Sequence, residues 1–331
     1  MKRILVPVLL LIVGIICFEL NTNPVLAYII EDLDLPAEGD FIVGPGKTEL
    51  WMDSGGKHTK ELLITNRTGD IRLFKIDIED FRGSREPDKP IQFLGPEEKG
   101  PYSLKDYLNP EIREFTLSHG QRMRLPVEIS IPEDAEPGGL YGSILVAASV
   151  PGELGEGGEK EIAGGQMKII TRLASLFFIR VKGDALEEGF LKDFGTPENL
   201  YEKGPVSLNL IYENNGNVHL TPYGKIEIKN FIGRKIEEIE VDPWFVMPDS
   251  VRAREIKWEG GKFLFGRYTV NLSLNRGYQD IIDQKSFAFW IIPWKILLIG
   301  FLGLVIVIWF VVWVAGHFEI RRKKEEKEIS P

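Results

Sequence analysis

Apolar and polar residues alternate with a period of two along most of the chain. Met123, Leu125, Val127, Ile129 and Ile131 interleave with Arg122, Arg124, Pro126, Glu128 and Ser130, so a strand over this run offers one face to a core and one to water. The same alternation runs through Ile76 and Ile78, through Val206, Leu208, Leu210 and Tyr212, through Ile226 and Ile228, and through Tyr268, Val270, Leu272 and Leu274. Turn signals separate these runs: Asp53-Ser-Gly-Gly56, Thr68-Gly69-Asp70, Pro137-Gly-Gly139, Asn214-Asn-Gly-Asn217 and Glu259-Gly-Gly261. No stretch from Tyr28 to Pro293 sustains a helical period. Many short strands with regular turns predict an all-β region built from antiparallel immunoglobulin-like sandwiches.

The two ends break the alternation. Residues 1–27 open on Lys2 and Arg3, continue through an apolar run from Ile4 to Phe18 and close on Val25-Leu26-Ala27, the pattern of a secretory signal peptide. The single cysteine, Cys17, lies inside this segment, and Ile16 before it is too large for a lipid-attachment signal. Near the other end, Ile296 to Ala315 carries no charge and, as a helix, would span about 30 Å, the thickness of the bilayer's hydrocarbon. Trp290 and Trp294 stand at its entrance and Trp313 at its exit, followed by the basic cluster Arg321, Arg322, Lys323 and Lys324. The cluster predicts a cytoplasmic tail over 317–331 behind a transmembrane helix over 293–316. The expected location is therefore the cell membrane, with a single pass and the remainder of the chain outside.

The exported part repeats itself. Ile64-Thr-Asn-Arg-Thr-Gly69-Asp-Ile-Arg-Leu73 matches Ile211-Tyr-Glu-Asn-Asn-Gly216-Asn-Val-His-Leu220 at equal spacing, and each precedes an Ile-x-Ile-x-x-Phe strand ending at Phe81 or Phe231. Gly139-Leu-Tyr141 is echoed by Gly266-Arg-Tyr268. Two tandem sandwiches of about seven strands each account for this, with a boundary in 182–188 and domains over 28–184 and 185–292. The Asn-Gly-Asn turn at Gly216 is expected to require a positive φ. Two segments interrupt the pattern: a Pro- and Gly-rich insertion over 83–110, with a helical turn expected in Ser103 to Leu108, and a Gly- and Glu-rich hairpin tip over 151–166.

Composition narrows the chemistry. A formal charge of −9 over 331 residues argues against nucleic-acid binding, which needs a basic face. One cysteine excludes a disulfide scaffold or a thiolate metal site. The four histidines, His58, His119, His219 and His317, are not at metal-ligand spacing, and neither a His-Glu-x-x-His helix nor a Gly-x-Ser-x-Gly elbow occurs. No cofactor, metal or enzymatic activity is expected, although carboxylate pairs from distant strands are not readable in sequence. Gly46-Lys47-Thr48 is read as a turn into a strand, not the end of a P-loop. Asp77, Glu79 and Asp80 are read as a solvated strand face in preference to a calcium cluster. Trp51, Trp244 and Trp258 are assigned to core or interdomain positions. Asn66-Arg-Thr68 and Asn271-Leu-Ser273 fit the glycosylation pattern, which matters only in a secretory eukaryotic host. In the insertion, Tyr102 and Tyr107 flank Asp106, and rings beside a carboxylate suit sugar or peptide faces, so these three are the candidate binding residues. The competing reading packs the loop onto its own sandwich.

Leu62-Leu-Ile-Thr-Asn66, Ile129-Ser-Ile-Pro132-Glu-Asp-Ala-Glu-Pro137-Gly-Gly-Leu-Tyr141-Gly-Ser-Ile144, Arg172-Leu-Ala-Ser-Leu-Phe-Phe-Ile-Arg-Val181 and Tyr212-Glu-Asn-Asn-Gly-Asn-Val-His-Leu220 follow in order, then one helix and a basic tail. This arrangement resembles the WxL-interacting proteins of bacterial surfaces. The resemblance implies a first sandwich that binds peptidoglycan, a second that contacts a partner, and a membrane anchor. The expected function is a non-catalytic, membrane-anchored surface protein binding cell-wall peptidoglycan or other surface proteins. The alternatives are an extracytoplasmic assembly factor or chaperone receiving subunits at an open sandwich edge, and, behind it, a cell-wall glycan hydrolase.

Overall fold

The computed structural model describes residues 28–151, 171–261 and 264–317. The signal segment, nearly all of the 151–166 tip and the cluster Arg321, Arg322, Lys323 and Lys324 lie outside the described residues. The chain divides into two compact units. The first runs to Glu188 and includes Asn214–Leu220 and Val246–Val251; the second comprises Gly189–Glu213, Thr221–Phe245 and the chain from Arg252 onward.

The first unit is a sandwich of two sheets. One places β2 (Asp40–Gly44), β4 (Lys57–Arg67) and β9 (Gln121–Ser130) side by side, with β1 (Ile29–Asp32) and β7 (Leu108–Pro110) sharing the far edge of β9. The other runs β3 (Lys47–Met52), β11 (Thr171–Val181), β10 (Gly138–Ser149) and β5 (Arg72–Gly83), with β6 (Ile91–Phe93) and β8 (Glu114–Leu117) along the outer edge of β5. The alternating positions supply the core: Ile64, Phe74, Ile76, Leu125, Val127, Ile129, Ile144, Val146, Phe177 and Ile179 are all buried. Burial of such side chains is the main drive for closing two sheets face to face.

The second unit has a three-stranded sheet, β12 (Gly189–Gly195), β14 (Val206–Asn214) and β17 (Ser250–Trp258). It faces a five-stranded one of β13 (Leu200–Tyr201), β19 (Ile282–Ile291), β18 (Gly266–Asn275), β15 (Tyr223–Lys229) and β16 (Lys235–Val241). The order β3-β11-β10-β5-β6 thus recurs as β13-β19-β18-β15-β16, and β2-β4-β9 recurs as β12-β14-β17. Even the strand direction repeats, since β3 runs parallel to β11 and β13 parallel to β19. The tandem immunoglobulin-like repeat expected from sequence is present, with eleven strands in the first copy where about seven were expected, because the insertion and termini contribute their own short strands.

After β19 comes α1 (Trp294–His317), which holds Ile296 and Ala315. Among the described residues it is the one helix long and apolar enough to cross a membrane, and it is buried against nothing.

Four sequence expectations need correction. Trp51 is exposed, because it sits on the outer face of β3 with the Arg180 guanidinium over its ring at 4.3 Å, whereas Trp244 and Trp258 are buried. Phe81 is buried on β5, but Phe231 lies past the end of β15 and is 68% exposed. Glu79 and Asp80 are buried and not solvated, since the alternation of β5 lapses where the insertion folds over its end. Gly216 does not adopt a positive φ; a Cβ there would instead overlap the Leu186 carbonyl oxygen.

Candidate functional site

The insertion is fastened to the first sandwich by one carboxylate. Asp80, fully buried on β5, accepts backbone N–H bonds from Leu104 (3.0 Å) and Lys105 (2.9 Å) through Oδ1 and from Gly100 (3.1 Å) through Oδ2. Its carbonyl accepts the Leu94 N–H at 3.0 Å. A buried carboxylate is tolerated when backbone donors replace its lost water, as here. The segment therefore returns to the sheet in a fixed path, with a 3₁₀ turn at Lys105–Tyr107 where the helical turn was expected, and with Leu104 and Leu108 inserted into the core.

That path raises Pro101 and Tyr102 as a ridge between two clefts. A cleft of about 360 Å³ is lined by Tyr102, Ser103 and Tyr107 on one side and by Asp134, Glu136 and Leu140 on the other. A second, of about 450 Å³, is lined by Tyr102, Asp249, Arg82, Arg85, Glu86 and Gln92. Tyr102 is held rigidly: its carbonyl accepts the Tyr141 N–H at 2.8 Å, its ring meets that of Tyr141 edge-on at 6.1 Å, and its hydroxyl donates to Asp249 Oδ2 at 3.1 Å. Burial, aided by the Asp249 carboxylate, pushes the Tyr102 phenol up to about 12. Beside it, the hydroxyl of Ser103 is buried without a hydrogen-bond partner among the described residues.

Of the three residues expected at a binding surface, Tyr102 and Tyr107 therefore line one cleft. Asp106 does not; it forms an ion pair with Lys99 at 2.7 Å. Tyr107 also packs against the core. Sequence reading missed Arg82, Arg85 and Asp249, whose proximity to Tyr102 depends on long-range chain folding. Asn66 is fully buried with its amide engaged, so the glycosylation pattern there is not accessible.

A second polar cluster lies inside the same unit. His219 Nδ1 is 3.1 Å from the Tyr141 hydroxyl, which also accepts the His219 backbone N–H at 2.6 Å, and Nε2 is 2.9 Å from Glu49 Oε1. The bonds close if Nε2–H donates to Glu49 and the tyrosine donates to Nδ1. The His219 hydrogen bond holds Glu49 at about 2, with Lys47 assisting against the opposing effect of burial. Although the order carboxylate, imidazole, hydroxyl resembles a nucleophile relay, burial drives the Tyr141 phenol upward, and none of the three residues lines either cleft. The cluster is a structural lock. The described residues hold no grouping of three or more His, Cys, Asp or Glu side chains able to take a metal.

No family model matches the chain, and no curated protein matches it. Among solved structures, it is similar to the Class 5 fimbriae chaperone CfaA, at 13% identity over 77% of this chain and 100% of that one, with a TM-score of 0.36. It is also similar to a chain of the CsuC-CsuE chaperone-tip adhesion subunit pre-assembly complex of Acinetobacter baumannii, at 9% identity over 74% of this chain and 97% of that one, TM-score 0.36. The E. coli chaperone DraB matches at 13% identity over 75% of this chain and 96% of that one, TM-score 0.32.

Proposed function

We propose that the chain is a non-catalytic, membrane-tethered protein that holds or helps to assemble another surface protein outside the cell, which joins the partner contact implied by its resemblance to the WxL-interacting proteins to the assembly-factor alternative, and moves that contact to the first sandwich. The observation that carries this reading is the Pro101–Tyr102 ridge with a cleft on each side. Loops borne on a rigid sandwich are where recognition commonly sits, and here the loop is pinned by Asp80. The linings mix carboxylates, guanidinium groups, prolines and backbone, a composition that suits a polypeptide with both charges and carbonyls to offer. Binding of a wall glycan fits less well, because a sugar stacks on an open aromatic face, whereas the Tyr102 ring is packed edge-on and its hydroxyl is engaged. On this reading α1 spans the membrane, and the sandwiches lie outside.

The test compares binding of the exported part to wall sacculi stripped of protein, to intact sacculi and to purified surface proteins. Arg82→Glu with Arg85→Glu alters two exposed side chains of the second cleft and should lower protein binding at least tenfold, or about 1.4 kcal/mol, with the melting temperature unchanged. Equal binding to stripped and intact sacculi, indifferent to these substitutions, would replace the protein partner by the wall polymer.

A further inference from the structure

The second sandwich carries a ring of large apolar side chains at the end from which α1 departs. The β15–β16 hairpin presents Phe231 and Ile232, 68% and 69% exposed, at its tip. Phe265, Leu200, Trp290 and Trp294 are also exposed. Strand register brings them to one end of the sheet. Lys229 pairs with Thr269, so the hairpin tip continues alongside the start of β18; Gly266 pairs with Ile291, and Leu200 pairs with Trp290. The Phe231 ring lies over Gly266, where a Cβ would come within 3.2 Å of it. Six large apolar groups at one end of a soluble sandwich are not explained by its core, which is complete without them.

What they face follows from the chain path. Ile292 still donates its N–H to the Tyr201 carbonyl at 2.8 Å, and the helix begins at Trp294. The sheet end and the helix are thus separated by two residues, a reach of about 7 Å. A helix of 24 residues is about 36 Å long, more than the roughly 30 Å of hydrocarbon it would cross, which sets Trp294 at the headgroup level. Tryptophan rings favour that level, and phenylalanine and leucine side chains bury at the boundary of headgroups and acyl chains just below it. Arg234 closes the hairpin turn on Asn230, Arg267 pairs with Trp290 in the strand register, and Lys295 is paired with Glu202 at 2.9 Å. Apolar burial, not charge, is the attraction.

We infer that this end of the second sandwich docks into the outer headgroup layer of the bilayer, with Phe231 and Ile232 as its deepest side chains, so that the sandwich stands on the membrane and does not swing from it. The inference rests on the membrane-spanning reading of α1. It predicts that a phosphatidylcholine surface, without anionic lipid, suffices.

The full-length chain carrying Cys17→Ser is reconstituted in phosphatidylcholine nanodiscs with a nitroxide at Ile232→Cys, at Ile306→Cys in mid-helix, or at Ile281→Cys beyond the opposite end of the sheet. Collision with oxygen, which concentrates in lipid, is compared with collision with a water-soluble nickel chelate. The expected oxygen-to-nickel ratio is highest at 306, several-fold lower but still well above the aqueous value at 232, and aqueous at 281. If 306 is aqueous, the spanning reading fails. If 306 lies in lipid while 232 matches 281, the docking inference alone is overturned. Spin–spin broadening at 232 in discs that hold two chains, together with an aqueous ratio at 232 in discs that hold one, would assign the surface to a second copy and overturn it as well.

Discussion

Asn66 and Asn214 make the same hydrogen bonds in the two copies of the repeat. Asn66 Nδ2 donates to the carbonyls of Asp70 and Leu117, both at 2.8 Å, while its Oδ1 accepts the Thr68 N–H at 2.9 Å. Asn214 Nδ2 donates to the carbonyls of Val218 and Val246, both at 2.9 Å, and its Oδ1 accepts the Gly216 N–H at 2.9 Å. Each amide thus closes its own turn and ties it to a second segment. Both side chains are fully buried, so truncation leaves carbonyls and an N–H with neither partner nor water. Asn66→Ala and Asn214→Ala are each expected to cost about 2–3 kcal/mol, read from urea unfolding. Asn→Asp at either position should cost more, because it sets a carboxylate against two carbonyls.

The glycines of the two turns are required for different reasons. Gly69 has φ +91°, with nothing nearer to a Cβ than Ala37 at 3.5 Å, so Gly69→Ala pays mainly in backbone strain, about 1 kcal/mol. At Gly216 a Cβ meets the Leu186 carbonyl oxygen and comes within 2.9 Å of the Glu188 nitrogen. Gly216→Ala is therefore expected to cost clearly more than Gly69→Ala, and Gly216→Asn should not relieve it. In contrast, Gly69→Asn should be milder than Gly69→Ala, since asparagine tolerates the left-handed region. Thermal denaturation of the four variants checks the ordering.

The repeat was legible because it is carried by local signals: an Asn four residues before a bonded carbonyl, a glycine in the turn, and strands with period-two burial such as Val206, Leu208, Leu210 and Tyr212, all of which are buried. The long apolar helix Trp294–His317 was legible for the same reason. The clefts were not. Tyr102 could be singled out as an aromatic residue in a long loop, but its neighbour Asp249 reaches it only through tertiary folding. The acidic trio misled because period two was extended across Asp77, Glu79 and Asp80, whereas folding of the insertion buries the last two. Trp51 misled by size: a large ring on an edge strand is accommodated outside when a guanidinium covers it.

Asp80 is the residue on which the cleft depends. Asp80→Ala removes the acceptor of three backbone N–H groups at once and should cost about 3 kcal/mol or more. Its expected signature is local as well as global. Trypsin should nick the chain after Arg85, Lys99 or Lys105, at concentrations that leave the parent intact. Asp80→Asn retains one acceptor oxygen and should fall between the two. Unchanged cleavage in Asp80→Ala would mean that Leu104 and Leu108 hold the insertion without the carboxylate.

The Glu49–His219 contact predicts a defined dependence on acid. Glu49 is lowered from 4.5 to about 2, above all by the hydrogen bond from His219. The folded protein therefore binds this proton less readily than the unfolded chain, whose glutamate stays near its ordinary value. The stability that Glu49 contributes is complete above pH 4.5 and is lost as the pH falls from 4.5 to about 2. Glu49→Gln keeps an acceptor for Nε2–H but has no proton to gain. Its melting temperature should lie slightly below the parent's at pH 7, a small difference because the carboxylate is partly exposed to water. As the pH drops from 4.5 to 2.5 the two curves should converge, since only the parent loses this contribution. Other carboxylates titrate in both proteins, so the difference between the curves, not either slope, isolates Glu49. A difference that stays constant from pH 7 to 2.5 would show that Glu49 and His219 are not coupled in the folded state.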